Sequence, residues 1–305
     1  MKSTTRFRHL LNSPDILVLP GAHDALTARI ISQCGFKAYV AGGYSATAGL
    51  LGAPDISQLS MTEMADFYAR LSDASPLPVL ADADTGYGGP ANVVRTVRAY
   101  ERAGVAALFI EDQVFPKRCG HMEGKRVVPR TEWLEKIKAA LDTRVDHDLV
   151  IMARTDAIAV AGIDEALDRA RLALEIGADL LFIEAPTDIE QMRRICSELA
   201  GLTLANNVER GKTPFLSAPE LQDIGYAAVA YPVSATYTSA KAGQALMAAL
   251  ARDGTTLSMA ERMERFEECN RTVGLEEIRA QETAWSDFAP SIDDSSGGEQ
   301  GFMFC

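Results

Sequence analysis

One thiol stands among three basic side chains in the run Lys117-Arg118-Cys119-Gly120-His121. Positive charge beside a cysteine favours its thiolate, so this thiol could give up a proton more readily than an isolated one. Upstream lie Glu111-Asp112, the pair Asp82 and Asp84 in PVLADADTGYGG, and Asp55. Asp82, Asp84, Glu111 and Asp55 make an oxygen-rich set suited to Mg2+, which keeps several waters and takes few direct protein ligands; Mn2+ accepts the same oxygen donors. Such carboxylates also serve as helix caps or ion-pair partners, and a lone cysteine is often inert. A zinc site at Cys119 and His121 would have two ligands with no second pair nearby. Taken together, thiol and acids point to metal-assisted carbanion chemistry with a cysteine as proton donor.

Other residues would hold a substrate. Arg154, in IMARTDA, has a guanidinium fork that matches a carboxylate; an ion pair with Glu184 or Asp156 is its alternative use, and the two uses can coexist. Asn206, in LANN, could donate to the same carboxylate, and the backbone N–H groups of Gly42-Gly43-Tyr44-Ser45 could take a second one. A third carboxylate would need a further cation, for which Arg210 in NNVERGKTP is available. His23 reads as structural. The segment 112–129, rich in charge and glycine, is long for a barrel loop and reads as a lid.

These residues need a scaffold that brings them together. Apolar runs recur at 16–19, 38–41, 78–81, 106–110, 149–153, 180–183, 202–205 and 227–231. They are apolar throughout, as parallel strands covered on both faces are. Amphipathic stretches such as 90–102 and 164–175 separate them, and Gly35, Gly104, Gly177, Gly201 and Gly225 close helices just before the next strand. Eight repeats of strand, helix and glycine predict an α/β chain folded as a (β/α)8 barrel of TIM type. Nearly every strand ends in a polar residue or glycine, and the C-terminal strand ends are where such barrels carry their sites. A doubly wound sheet is the competing architecture, but no G-x-G-x-x-G follows the first strand. The expected organisation is a catalytic barrel over 1–255 (its last helix at 241–252), a helical extension over 256–288 with one stretch from 259 to about 284, and a flexible tail over 289–305.

Composition narrows the class. At 305 residues and 47% hydrophobic content the chain can bury a large core. A net charge of −12 argues against nucleic acid or an anionic membrane as partner, leaving a small carboxylate in a local basic pocket. Five scattered cysteines suit a reducing compartment rather than a disulfide framework. The N-terminus lacks the apolar run of a secretory signal, and no apolar run reaches membrane-spanning length. The expectation is a soluble, cytoplasmic protein.

From about residue 20 to 288 the chain resembles the isocitrate lyase/phosphoenolpyruvate mutase superfamily. The resemblance runs through GAHDALTA, GGYSATAGLLGAPD, LADADTGYGGP, IEDQVFPKRCGH, VIMARTDA, FIEAP and ECNRTVGLEE. The combination of DADTGYG, IEDQ and KRCGH looks most like the cysteine-containing branch of 2-methylisocitrate, 2,3-dimethylmalate and related alkylmalate lyases. That resemblance implies a Mg2+-dependent barrel whose last helix is exchanged between partners in a homotetramer. It implies Asp84 as the direct metal ligand, with Asp55, Asp82 and Glu111 holding metal-bound waters. Cys119 would be the general acid, Arg154 and Asn206 carboxylate binders, and Glu184 an organiser, with Gly42, Gly43, Gly120 and His121 also at the substrate. Many relatives have serine where Gly42 stands, so a hydroxyl is lost there. Tyr44 resembles a tyrosine of the plant alkylmalate lyases and could act as base or orient one. Members without the cysteine include phosphonomutases and oxaloacetate decarboxylases. The expected reaction is retro-aldol (Claisen-type) cleavage of a 2-hydroxy di- or tricarboxylate to pyruvate or glyoxylate plus a carboxylate. The alternatives are hydrolysis of oxaloacetate to oxalate and acetate, and a barrel that binds a dicarboxylate without turning it over.

Overall fold

The computed structural model describes residues 1–120 and 122–288. His121 and the expected flexible tail over 289–305 lie outside the described residues. Eight parallel strands form: β1 (Leu17–Pro20), β2 (Tyr39–Ala41), β3 (Val79–Asp82), β4 (Ala107–Glu111), β5 (Val150–Thr155), β6 (Leu180–Ile183), β7 (Leu204–Asn206) and β8 (Ala228–Tyr231). They make two arcs, β1-β8-β7 and β2-β3-β4-β5-β6. Parallel bridges at Gly21–Val40 and Leu181–Thr203 join the arcs, so the sheet closes in chain order. The expected barrel forms, and each predicted apolar run supplies a strand.

Local chemistry sets the helix boundaries. Helix Pro90–Arg102 opens on proline, whose missing N–H costs nothing there. Capping boxes at Ser60/Glu63 and Ser217/Glu220 start two others. The helix after β8 runs Ser234–Asp253, beginning seven residues earlier than the sequence pattern suggests and directly at the strand end. Ser3–Leu11 forms a helix the sequence reading did not anticipate; its Phe7 and Leu11 pack among Leu17, Ala38, Ala106 and Val150 at the N-terminal end of the barrel. These apolar side chains plug one end and leave the other for chemistry.

Strand periodicity connects this plug to the site. Val40, Leu80, Phe109, Met152, Phe182 and Leu204 belong to the barrel's interior cluster. Two residues further along each chain, on the same face, stand Gly42, Asp82, Glu111, Arg154, Glu184 and Asn206. The alternation that fills the interior with apolar side chains therefore delivers polar ones at the top. Met1–Thr255 make one compact unit, and a second begins at Thr256. In that second unit the single expected helical stretch is instead a 3-10 turn, Leu257–Arg262, and two helices, Phe266–Thr272 and Leu275–Phe288. Gly274, with φ of 84°, makes the break between the two helices.

Buried tyrosines clamp the strand ends under the site. The Tyr68 hydroxyl accepts the Asp82 N–H at 2.8 Å and lies 3.0 Å from the Ala41 carbonyl and 2.9 Å from that of Asp82. Tyr100 also donates to the Asp82 carbonyl, at 3.0 Å. Replacing Tyr68 with phenylalanine would strand the buried Asp82 N–H, and we expect a stability loss of about 1–3 kcal/mol. Urea unfolding should show a lower midpoint with unchanged slope; an unchanged midpoint would remove the clamp from the account.

Candidate active site

The C-terminal strand ends enclose a cavity of about 240 Å3. Its wall includes Gly42, Gly43, Tyr44, Asp55, Asp82, Cys119, Gly120, Arg154, Glu184 and Asn206, so residues from seven parts of the chain meet there as expected. Asp84, Glu111 and Arg210 are not on this wall. β3 ends at Asp82, and Asp84 adopts a left-handed backbone, φ 48°, yet its carboxylate stays beside that of Asp82: Oδ1 would lie 3.4 Å and Asp82 Oδ2 3.2 Å from a Cβ built on Gly43. Arg210 is exposed. His23 also lies outside the wall, beside Asp24 and Thr27.

Lys117 departs from the sequence reading. It was expected to support the Cys119 thiolate, but its ammonium is buried among the acids, 2.9 and 2.8 Å from the two Asp55 oxygens and 3.0 Å from Asp84. Four nearby carboxylates attract it more strongly than one thiol can. Burial works against the charge on Lys117, but Asp84, Asp82, Glu111 and Asp55 outweigh that and raise its pKa well above the lysine range. Arg118 is exposed and donates to the Glu123 carbonyl at 3.1 Å, so it does not serve the thiol either. Gly43 makes room for the cluster: a Cβ there would stand 3.2 Å from Asp82 and 3.3 Å from Lys117 Nζ.

The acid cluster is short of positive charge. Burial pushes Asp84 up to about 7 even with Lys117 beside it, and pushes Glu111 well above the carboxylate range against the pull of Arg154. Neither Glu111 oxygen accepts a hydrogen bond, although Arg154 Nη1 stands 3.2 Å from Oε2. Among the described residues no three histidine, cysteine or carboxylate side chains converge tightly enough to chelate one ion. A buried carboxylate without a hydrogen-bond donor, in a cluster where acids outnumber cations, suits a divalent cation that keeps its waters.

Arg154 is held by three carboxylates and two rings. Its Nε lies 3.0 Å from Asp156 Oδ2, Nη1 faces Glu111, and Nη2 lies 3.4 Å from Glu184. Phe109 and Phe182 lie 5.7 and 4.9 Å from the guanidinium carbon. Both ion pairs offered as its alternative use, with Asp156 and Glu184, therefore form, and its five donors still leave capacity for a ligand. Burial opposes the Asp156 charge, but Arg154 and Lys125 hold that carboxyl down at about 2. Asn206 donates to Glu184 at 3.2 Å. Gly120 passes so close that a Cβ there would meet the Glu184 carboxylate at 2.6 Å.

The Gly43 N–H, expected to face a substrate carboxylate, donates to Asp82 at 2.9 Å. It starts the helix Gly43–Leu51, and the N–H groups of Tyr44 and Ser45 in the same turn have no intrahelical acceptor. Nothing lies within 4 Å of a Cβ built on Gly42. Tyr44 meets Tyr237 edge-to-face at 6.0 Å, and Tyr237 also lines the cavity. The sequence reading missed Tyr237, whose signal was its place one turn into the helix after β8. It also missed Lys125, which lacks any local signal because its partner Asp156 is 31 positions away.

The phosphoenolpyruvate phosphomutase family model matches residues 7–251. The chain is 48% identical over 282 residues to the 2,3-dimethylmalate lyase of Eubacterium barkeri, covering 92% of this chain and 98% of that one. Its fold superposes with a TM-score of 0.89 on oxaloacetate acetylhydrolase in complex with the inhibitor 3,3-difluorooxalacetate, at 33% identity over 95% of this chain and 99% of that one. A phosphonopyruvate hydrolase solved with oxalate and Mg2+ superposes with a TM-score of 0.83, at 27% identity over 94% of this chain and 100% of that one. Among the described residues no helix is long and apolar enough to cross a membrane. With the cysteine loop, the strand-end acids and the barrel in place, these likenesses mean that the chain belongs to the phosphoenolpyruvate mutase/isocitrate lyase superfamily.

Proposed function

We propose that the protein is a carbon–carbon lyase that splits a 2-hydroxy dicarboxylate of the 2,3-dialkylmalate type into pyruvate and a second carboxylate. One observation carries this reading. Arg154 is the single cationic side chain among the described residues of the cavity wall, and it shares that wall with the half-buried thiol of Cys119 and apolar side chains such as Val40, Met152 and Leu204. Apolar lining suits alkyl substituents, and a few convergent polar groups suit orientation. A tricarboxylate such as 2-methylisocitrate needs a further cation, and exposed Arg210 does not supply it from the wall.

Asp84 or Asp82 would hold Mg2+ or Mn2+ directly, with Asp55 and Glu111 reaching it through water; the resemblance gives the direct place to Asp84, and of the pair Asp82 lies on the cavity wall. When bound, the ion supplies positive charge for the substrate hydroxyl and its neighbouring carboxylate. Tyr44 would take the hydroxyl proton or orient the base that does. The C2–C3 bond then breaks, its electron pair passing to the departing carboxylate as an enediolate while the hydroxyl carbon becomes the keto carbon of pyruvate. Cys119 gives its proton to that carbanion carbon. Arg154, oriented by Glu184 and Asn206, and the open N–H groups of Tyr44 and Ser45 offset the carboxylate charge. Gly42, Gly120 and His121 would complete the substrate contacts. In the second unit Phe266, Trp285 and Phe288 are exposed, which supports helix exchange within a homotetramer.

Product analysis tests the reading. With Mg2+, 2,3-dimethylmalate should give pyruvate and propionate in equal amounts, faster than 2-methylisocitrate gives pyruvate and succinate. Oxalate and acetate from oxaloacetate as the leading products would assign the hydrolase activity instead. Binding of all three acids without turnover would make the barrel non-catalytic. The metal assignment has its own test in Glu111→Gln. We expect Mg2+ affinity to fall about 10–100-fold by calorimetry, the usual effect of losing a group that orients a metal's ligands or waters; unchanged affinity would take Glu111 out of the metal site.

A further inference from the structure

The loop that carries Cys119 is moored at points that the reaction above does not use. Its base is a short antiparallel ladder: Val114 N–H donates to the Arg126 carbonyl and Val128 N–H to that of Asp112, both at 2.8 Å. Above this base, two buried lysines flank the thiol. Lys117 reaches Asp55 and Asp84 on one side. Lys125, its side chain 1% exposed, reaches Asp156 at 2.8 Å on the other and also donates to the Gly120 carbonyl. Gly120 is the neighbour of Cys119, so this second bond acts one residue from the thiol.

Asp156 joins the loop to the substrate cation. Its side chain is fully buried, Oδ1 faces Lys125, and Oδ2 accepts from Arg154 Nε. Its own N–H donates to Asp112 at 2.8 Å, and Asp112 is held in turn by Thr155 and Arg169. The carboxylate is thus fixed from the β5 side and cannot follow a drifting loop. A buried ammonium with one carboxylate and one carbonyl for partners is a strong and directional tether, because separating it would leave buried charge unpaired. Lys117 lacks this geometry, since its partners are the metal acids rather than the residue beside the thiol.

We propose that Lys125 is a positioning residue: through Gly120 and Asp156 it latches the 112–129 segment onto β5 and sets the Cys119 thiol at a fixed place relative to Arg154. The inference rests on the lyase reading for its effect on turnover, but not for its effect on the loop. Removing the ammonium leaves Asp156 paired with Arg154, so substrate binding should survive while the thiol loses its placement.

The test compares wild type with Lys125→Met and Lys125→Arg, all with Mg2+. Cys119 alkylation by iodoacetamide is followed by peptide mass spectrometry, so the other cysteines do not interfere. For Lys125→Met we expect alkylation about tenfold faster and kcat on the order of thirtyfold lower, with KM within about threefold. Lys125→Arg, which keeps a cation, should recover part of both. Unchanged alkylation overturns the latch even if kcat falls, because a lysine that only stabilises the fold would lower the unfolding midpoint without opening the loop in the native state. An equal loss of kcat in Lys125→Arg with no recovery of protection also overturns it. Should the wild type turn over none of the acids tested, the lyase reading fails, and the alkylation rates alone decide the latch.

Discussion

The mouth of this barrel is governed by the cost of burying charge. Asp55, Asp82, Asp84, Glu111, Asp156 and Glu184 are at most 8% exposed there, with Lys117, Lys125 and Arg154 as their counter-charges. Isolated, each ion would cost several kcal/mol to desolvate. They persist because every cation is paired and two are shared: Arg154 by Asp156, Glu111 and Glu184, Lys117 by Asp55 and Asp84, while Lys125 serves Asp156 alone. Sharing also fixes geometry, since no member can move without unpairing another. What the three cations leave uncompensated, at Glu111 above all, is an opening for a divalent cation.

The same network ties the strands to the loop. Asp82, Glu111, Arg154 and Glu184 come from rigid strand ends, whereas Lys117, Cys119, Gly120 and Lys125 come from a long connection after β4. Without the lysines that connection would be an ordinary surface loop, mobile and wet. With them it lies against Glu184, so closely that only glycine fits at 120. A thiol delivered in this way lines the cavity with the strand-end residues, and the loop that carries it shields that cavity from bulk water.

Much of this was legible in the sequence, for identifiable reasons. Strand order and the identity of the strand-end residues follow from short, wholly apolar runs and from glycines after helices, both local patterns. Asp82, Glu111, Arg154 and Glu184 were found because a barrel topology converts strand ends into one site. The destinations of Lys117 and Lys125 were not legible, because a long side chain goes to the strongest nearby charge, and which charge is near depends on how the loop folds back. The N-terminal plug was missed because Phe7, Leu10 and Leu11, three apolar positions gathered in the second half of a nine-residue helix, leave a weak periodic signal. Asp84 shows the intermediate case: the strand stops at Asp82, and the left-handed turn that follows, rather than strand alternation, sets the Asp84 carboxylate beside Lys117.

The central claim is that a loop-borne thiol, rather than water, protonates the carbanion. Cleavage of 2,3-dimethylmalate in deuterium oxide, followed by analysis of the propionate, tests this most directly. The account predicts one deuterium at C2, delivered to a single face so that the product is one enantiomer, with Cys119→Ser almost inactive. Racemic deuterium at C2, or unaltered rate and stereochemistry in Cys119→Ser, would contradict it.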